Sequence, residues 1–237
     1  DTYLQLAALH FFRAGAEVIS KVRDDYKRKL RRPVALEFSE DSIDAYTAKA
    51  VALTKEDGLA KKIAGLMALT GRRPIEIMLT GSFEECVREE GDKVFLNCIG
   101  GGEWVRFKGQ AKQSKGSEES RDNFPIPVLH KAAVLDGLAS LRTKRDFSKT
   151  HVNEGKDLHI TLHDQWSGET NKAVQMSFLN FLGENAHPYE LRKLYCAIVT
   201  HQQRPASVTE FYSDILGHAE NNETAQISYN RFTIVPG

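Results

Sequence analysis

Apolar positions recur at three- and four-residue steps over most of the chain, the period of an amphipathic helix. The pattern predicts helices over 3–32, 41–54 and 57–70, with Leu4, Ala7, Ala8, Phe11 and Phe12 marking the first. Pro33 stops that helix, Asp41 stands as a cap for the next, and Gly71 follows the third where a left-handed residue ends a helix. Pro74 occupies a first-turn position for a helical piece over 74–79. The period then shortens. Two β-rich runs, 93–99 and 103–108, flank Gly100-Gly101-Gly102 and read as a hairpin. The stretch 124–128 carries two prolines and reads as a short edge strand. Helical spacing returns over 129–142, 169–182, 188–203 and 207–217, with a last short helix near 222–230. Ser207 and Glu210 form a capping box. Residues 158–162 alternate and read as extended. The expected fold is mainly α with a small antiparallel β-sheet.

Composition narrows the class. Of 237 residues, 41% are apolar and 27% charged, an ordinary globular balance that excludes a collagen or a disordered tail. The apolar runs fall well short of the roughly 18 residues that span a bilayer, so no membrane partner is expected. Lys and Arg total 32, as do Asp and Glu, so the net charge is zero and any nucleic-acid surface must come from cations segregated on one face. The run from Lys21 to Arg32 holds seven cations and two anions. It reads as a solvated helix face, a DNA-backbone contact or an interdomain arm. The chain opens on Asp1 without a signal-peptide pattern and reads as a piece of something longer. Cys86, Cys98 and Cys196 have no paired spacing and read as free thiols in a reducing cytosol.

Five segments carry candidate chemistry: Thr70-Gly-Arg-Arg-Pro-Ile-Glu-Ile77, Arg106-Phe-Lys-Gly-Gln-Ala-Lys-Gln-Ser-Lys115, His187-Pro-Tyr-Glu-Leu-Arg192, Leu216-Gly-His218 and Tyr229. In this order they resemble the catalytic domain of the tyrosine recombinases. That family's pattern is a T-G-x-R-x-x-E turn, a lysine on a β-hairpin, an H-x-L-R helix, an L-G-H turn and a following tyrosine. Arg73 and Glu76 fall in register with the first element, and Arg72 falls on its variable position. Tyr189 stands where most members have histidine, and Tyr229 follows His218 at a longer spacing than is usual. Both departures, and the Gly-Gln-Ala-Lys segment, look like the telomere resolvases, the branch that makes covalently closed DNA hairpin ends. The resemblance spans roughly 57–232. It implies an N-terminal helical segment or linker remnant over 1–55 and a tyrosine recombinase-like catalytic domain over 56–237.

The residue types suit the chemistry on their own terms. Phosphodiester cleavage loads negative charge on two non-bridging oxygens, which planar guanidiniums clamp in forked geometry. Arg73 and Arg192 are the candidates. Tyr229 is the candidate nucleophile for a 3′-phosphotyrosyl ester. His218 is placed to bond the phosphate or help deprotonate the tyrosine. Lys112, with Lys108 second, is the candidate donor of a proton to the leaving 5′-oxygen. Tyr189 joins the catalytic set by its place in the motif. Arg72, Arg106, Lys108, Lys115 and Lys193 are expected at the DNA backbone. No metal or cofactor is called for, because the ester conserves the bond energy.

Plainer readings stand beside these. Arg73 could be a salt bridge held by Glu76, Arg192 a helix-face ion pair, Tyr229 a half-buried aromatic beside Phe232, Tyr189 packing at a helix start, and His218 a histidine at a helix C-terminus. His159 and His163 have the spacing of a helical zinc pair, but an extended segment holds such residues about 13 Å apart. Gly100–Gly102 lacks the Lys-Ser/Thr of a phosphate loop, and no G-x-S-x-G elbow is present. The expected activity is DNA cleavage and rejoining by a telomere resolvase, acting as a homodimer on an inverted-repeat duplex in the cytoplasm. The alternatives are a site-specific recombinase or integrase, and a non-catalytic helical DNA-binding module.

Overall fold

The computed structural model describes residues 36–86, 100–111, 123–152, 155–217, 229 and 231–237. The predicted helices over 3–32 and near 222–230 and the strand over 93–99 fall largely or wholly outside these residues.

The fold is built round one helix. Among the described residues the chain runs β1 (Leu36–Ser39), α1 (Ser42–Lys55), α2 (Leu59–Thr70), a π-helical turn (Glu76–Thr80), β2 (Ser82–Glu85), β3 (Glu103–Lys108) and β4 (Asn123–Val128). It continues through α3 (Lys131–Lys144), α4 (Leu158–Leu182), α5 (Pro188–Gln203), α6 (Val208–Leu216) and β5 (Phe232–Val235). Every residue of α2 from Lys62 to Thr70 is buried. A helix apolar on all sides belongs at the centre, and α1, α3, α4 and α5 pack round α2. Its end is fixed by Gly71, at φ 63°, whose N–H bonds the Met67 carbonyl. A Cβ there would lie 2.2 Å from the Tyr195 ring, so both conformation and space demand glycine.

The small antiparallel sheet has the order β2–β3–β4. Phe83, Phe107 and Phe124 stack across it in the core. Pro125 and Pro127 lie on the edge strand β4, where missing donors cost least. Sequence reading missed β2, the partner of β3 among the described residues on the side away from β4. It also missed β1 and β5, a parallel pair joining Leu36 to Phe232 through Ser39 to Val235. Four-residue strands carry too few alternations to register as a period.

The extended reading of 158–162 is overturned, because α4 begins at Leu158. The Asp157 carboxylate accepts the Ile160 N–H, and buried Leu162, Ala173, Val174, Phe178 and Leu182 continue one helical stripe. The helical spacing of His159 and His163 is therefore real. Among the described residues no group of three or more His, Cys, Asp or Glu is arranged to hold a metal. None of the described helices is long and apolar enough to cross a membrane.

Residues 36–55 do not stand apart from the rest. Phe38, Ile43, Tyr46, Ala50 and Leu53 are buried in the same cluster as the α2 side chains.

Candidate active site

The turn after α2 sends adjacent arginines in different directions. The Thr70 hydroxyl bonds the Leu66 carbonyl and accepts the Arg72 N–H at 3.2 Å, tying the turn to the helix end. Arg72 then points inward. It is fully buried, with its guanidinium 4.6 Å from the Phe107 ring centre and donating to the Ile215 carbonyl at the end of α6. Among the described residues its Nε and Nη1 have no hydrogen-bond partner. Burial lowers its pKa to about 10, against the pull of Glu76. The placement of Arg72 at the DNA backbone is thus corrected: a guanidinium enclosed by Phe107 and the α6 terminus is out of reach of a phosphate backbone.

Arg73 faces the other way. Its N–H and Nη1 donate to the two oxygens of Glu76 at 2.9 and 2.8 Å. Glu76 is fully buried at the start of the π-helical turn and also accepts the Ala111 N–H at 3.2 Å. Arg192 comes from the opposite side. It projects from the second turn of α5, which starts cleanly because His187 caps it and Pro188 presets its first residue. Its Nη1 lies 4.0 Å from Glu76 Oε2 and donates to the Gly71 carbonyl at 2.8 Å, while Nη2 donates to the Leu216 carbonyl at 3.4 Å. The two sequence-expected guanidiniums therefore share one carboxylate.

Arg192 also donates through Nε to the Tyr229 hydroxyl at 3.1 Å. Tyr229 is 3% exposed, with its ring beside Tyr189 and Tyr212. Burial pulls the Arg192 pKa down, but Tyr229 and Glu76 outweigh it and hold the guanidinium above its ordinary range. Two guanidiniums meet the one buried Glu76 carboxylate and Arg72 acts on it through space, leaving a surplus of positive charge where water is scarce. That is an anion-seeking arrangement.

Glu76 makes this charge cluster a determinant of stability. Burial pushes its carboxyl up, but Arg72, Arg192 and Arg73 together bring it down to about 2. A carboxyl depressed on folding adds stability that is complete above its unfolded pKa, near 4.5, and is lost as pH falls towards 2. Acid titration of the unfolding free energy is expected to fall steeply across that window. Glu76→Gln should flatten this slope and, at neutral pH, cost on the order of 3 kcal/mol, the weight of about two pKa units.

The lysine-bearing segment is tied to the same place. Gln110, buried two residues past β3, donates through Nε2 to the Leu216 and Gly217 carbonyls at 3.3 and 2.7 Å. Gly217 adopts φ 63°, and a Cβ on it would strike Gln110. Side chains from three elements (Arg72, Gln110 and Arg192) thus satisfy the C-terminal carbonyls of α6. Lys112, Lys115 and His218 lie outside the described residues. Lys108 is exposed on β3, and Arg106 is half-buried one strand repeat away. Tyr189 is 43% exposed, parallel to the His187 ring, with Lys193 Nζ 4.6 Å from its ring centre. Lys193 donates to Glu190 at 2.7 Å. Sequence reasoning missed the roles of Gln110, Glu190 and Arg231, whose partners are distant in the chain or reached through a fold contact.

The telomere resolvase ResT/TelK catalytic domain family matches residues 38–232. The chain belongs to this family. It is 27% identical over 194 residues to the protelomerase of Escherichia phage N15, and 29% identical over 198 residues to that of Klebsiella oxytoca phage phiKO2. Each alignment takes in 77% of this chain, which spans only 28% of the length of either relative. Protelomerase TelA, solved covalently complexed with substrate DNA, superposes with a TM-score of 0.75 at 21% identity, covering 93% of this chain and 67% of that one. Protelomerase TelK complexed with substrate DNA gives 0.67 at 22% identity, covering 93% and 43%. The likeness places this telomere resolvase catalytic domain on the expected tyrosine recombinase-like fold.

Proposed function

We propose that this chain cuts and rejoins DNA through a 3′-phosphotyrosyl intermediate and turns replicated, palindromic telomeres into covalently closed hairpin ends. The observation that carries the reading is the Tyr229 hydroxyl resting 3.1 Å from Arg192 Nε, with Arg192 and Arg73 sharing Glu76. A scissile phosphate entering beside Tyr229 competes with Glu76 for both guanidiniums. Tyr229 Oη attacks phosphorus, a P–O bond to tyrosine forms, and the bond to the 5′-oxygen breaks. Arg73 and Arg192 stabilise the charge on the non-bridging oxygens. The departing 5′-oxygen takes a proton from Lys112, or from Lys108. His218 supports the phosphate or receives the tyrosine proton. Resealing reverses the step, with the 5′-hydroxyl of the opposite strand expelling Tyr229. Arg106, Lys108, Lys115 and Lys193 neutralise backbone phosphates. Tyr189, in the histidine position, lies next to the reacting centre.

The names of the phage relatives, the covalent DNA complex of TelA and the substrate-DNA complex of TelK support the substrate class. Hairpin closure needs both strands cut, so the working unit is a homodimer on an inverted repeat, and the cell compartment is the one holding the DNA, the bacterial cytoplasm. We take residues 36–55 as part of the catalytic unit, because they share its core. An inverted-repeat duplex incubated with the chain should yield products that snap back to duplex after denaturation. Products that melt into ordinary single strands would instead favour strand exchange of the integrase kind.

A further inference from the structure

Tyr229 lies beside Arg192 three residues before β5, and the residues just downstream of it supply contacts that hold it there. The anchors lie immediately downstream. The Leu36 N–H donates to the Arg231 carbonyl at 2.7 Å, and the pairing of β1 with β5 begins at the next residue. On the side-chain side, Arg231 Nε lies 2.8 Å from Glu190 Oε2. This is an ion pair whose N–H is not aimed along a hydrogen bond, since both atoms lack an in-line partner among the described residues. Glu190 is 3% exposed and takes Lys193 on its other oxygen at 2.7 Å, with His187 Nε2 at 3.7 Å from that same oxygen. A carboxylate so enclosed is tolerable only while its cations stay. Glu190 sits two residues before Arg192 on α5, and Arg231 two residues after Tyr229. The pair therefore bridges the same two segments as the Arg192–Tyr229 contact, one step further along each.

We propose that Glu190 and Arg231 are positioning residues that latch the Tyr229 segment onto α5 and set the approach of its hydroxyl to the scissile phosphate. The inference rests on Tyr229 being the nucleophile. Two residues span at most about 7 Å of chain, so fixing Arg231 confines Tyr229. Nucleophilic attack is sensitive to such confinement, because a misplacement of about 1 Å costs roughly a hundredfold in rate. Arg73, Arg192 and Glu76 do not depend on the latch, so it governs delivery of the nucleophile and leaves the phosphate clamp intact.

The test uses an inverted-repeat duplex selected from a randomised palindrome pool for cleavage by the wild-type chain. Arg231→Ala and Glu190→Gln should each slow single-turnover adduct formation by about a hundredfold while DNA affinity stays within a few-fold. Arg231→Lys, which keeps the charge, should restore most of the rate. In a Tyr229→Phe background, hydrogen peroxide serves as an external nucleophile on the same duplex. There, adding Arg231→Ala should leave cleavage unchanged, because no tyrosine remains to be placed. Wild-type adduct formation by Arg231→Ala, or an equal loss in the peroxide reaction, would overturn the latch. Persistent adducts from Tyr229→Phe alone would instead overturn the nucleophile and so separate the two readings.

Discussion

Tyr229→Phe is expected to abolish covalent protein–DNA adducts outright while the chain still binds its duplex. The substitution removes one oxygen from a ring that is otherwise packed against Tyr189 and Tyr212. The ring's apolar contacts survive, so the segment should stay folded. What disappears is the proposed nucleophile and the acceptor for Arg192 Nε. Denaturing gels with end-labelled duplex give the measurement, and a thermal melt checks that the variant is folded. An adduct still seen with phenylalanine at 229 would transfer the nucleophile's role elsewhere, and Tyr189 and Tyr212 would be the next hydroxyls to change.

Loss of Arg192 should be almost as severe and should act twice. Arg192→Ala deletes a guanidinium proposed to meet the charge that builds on the phosphate, a contribution worth about a hundred- to a thousandfold in rate for one such donor. It also strands the Gly71 carbonyl, leaves the Leu216 carbonyl to Gln110 alone and leaves Glu76 with one cation fewer, so stability falls as well. Arg192→Lys separates the two effects. An ammonium keeps the charge beside Glu76 but cannot bridge Gly71, Leu216 and Tyr229 at once. Cleavage should stay low while the melting temperature partly recovers. Cleavage near wild type in either variant would take Arg192 out of the reaction and overturn its role at the phosphate.

The difference between Arg72 and Arg73 marks how far local sequence carries. Both follow Gly71, both are cationic, and the motif register assigns Arg73 to the site. Nothing in that register says that Arg72 is buried over Phe107, because the ring belongs to a strand more than thirty residues on and the carbonyl it meets closes α6. The stretch 158–162 failed for the opposite reason. Leu, His, Ile, Thr, Leu fits an alternating and a helical pattern equally well over so short a run. The Asp157 cap and the buried stripe continuing to Leu182 decide for helix.

By itself, the amino-acid order determined the helix ends at Gly71, Pro188 and Ser207, the edge position of the proline strand, and the succession of motifs that marks the family. These are written in residues near one another, where φ preferences, caps and side-chain periods act without help. Only tertiary structure decided that Arg73 and Arg192 meet at Glu76, that Gln110 grips the end of α6, and that β1 pairs with β5 beside Tyr229. Those contacts join segments whose separation in the chain carries no local preference. They form because burying α2 on every side leaves the ends of α2, α5 and α6 facing one another.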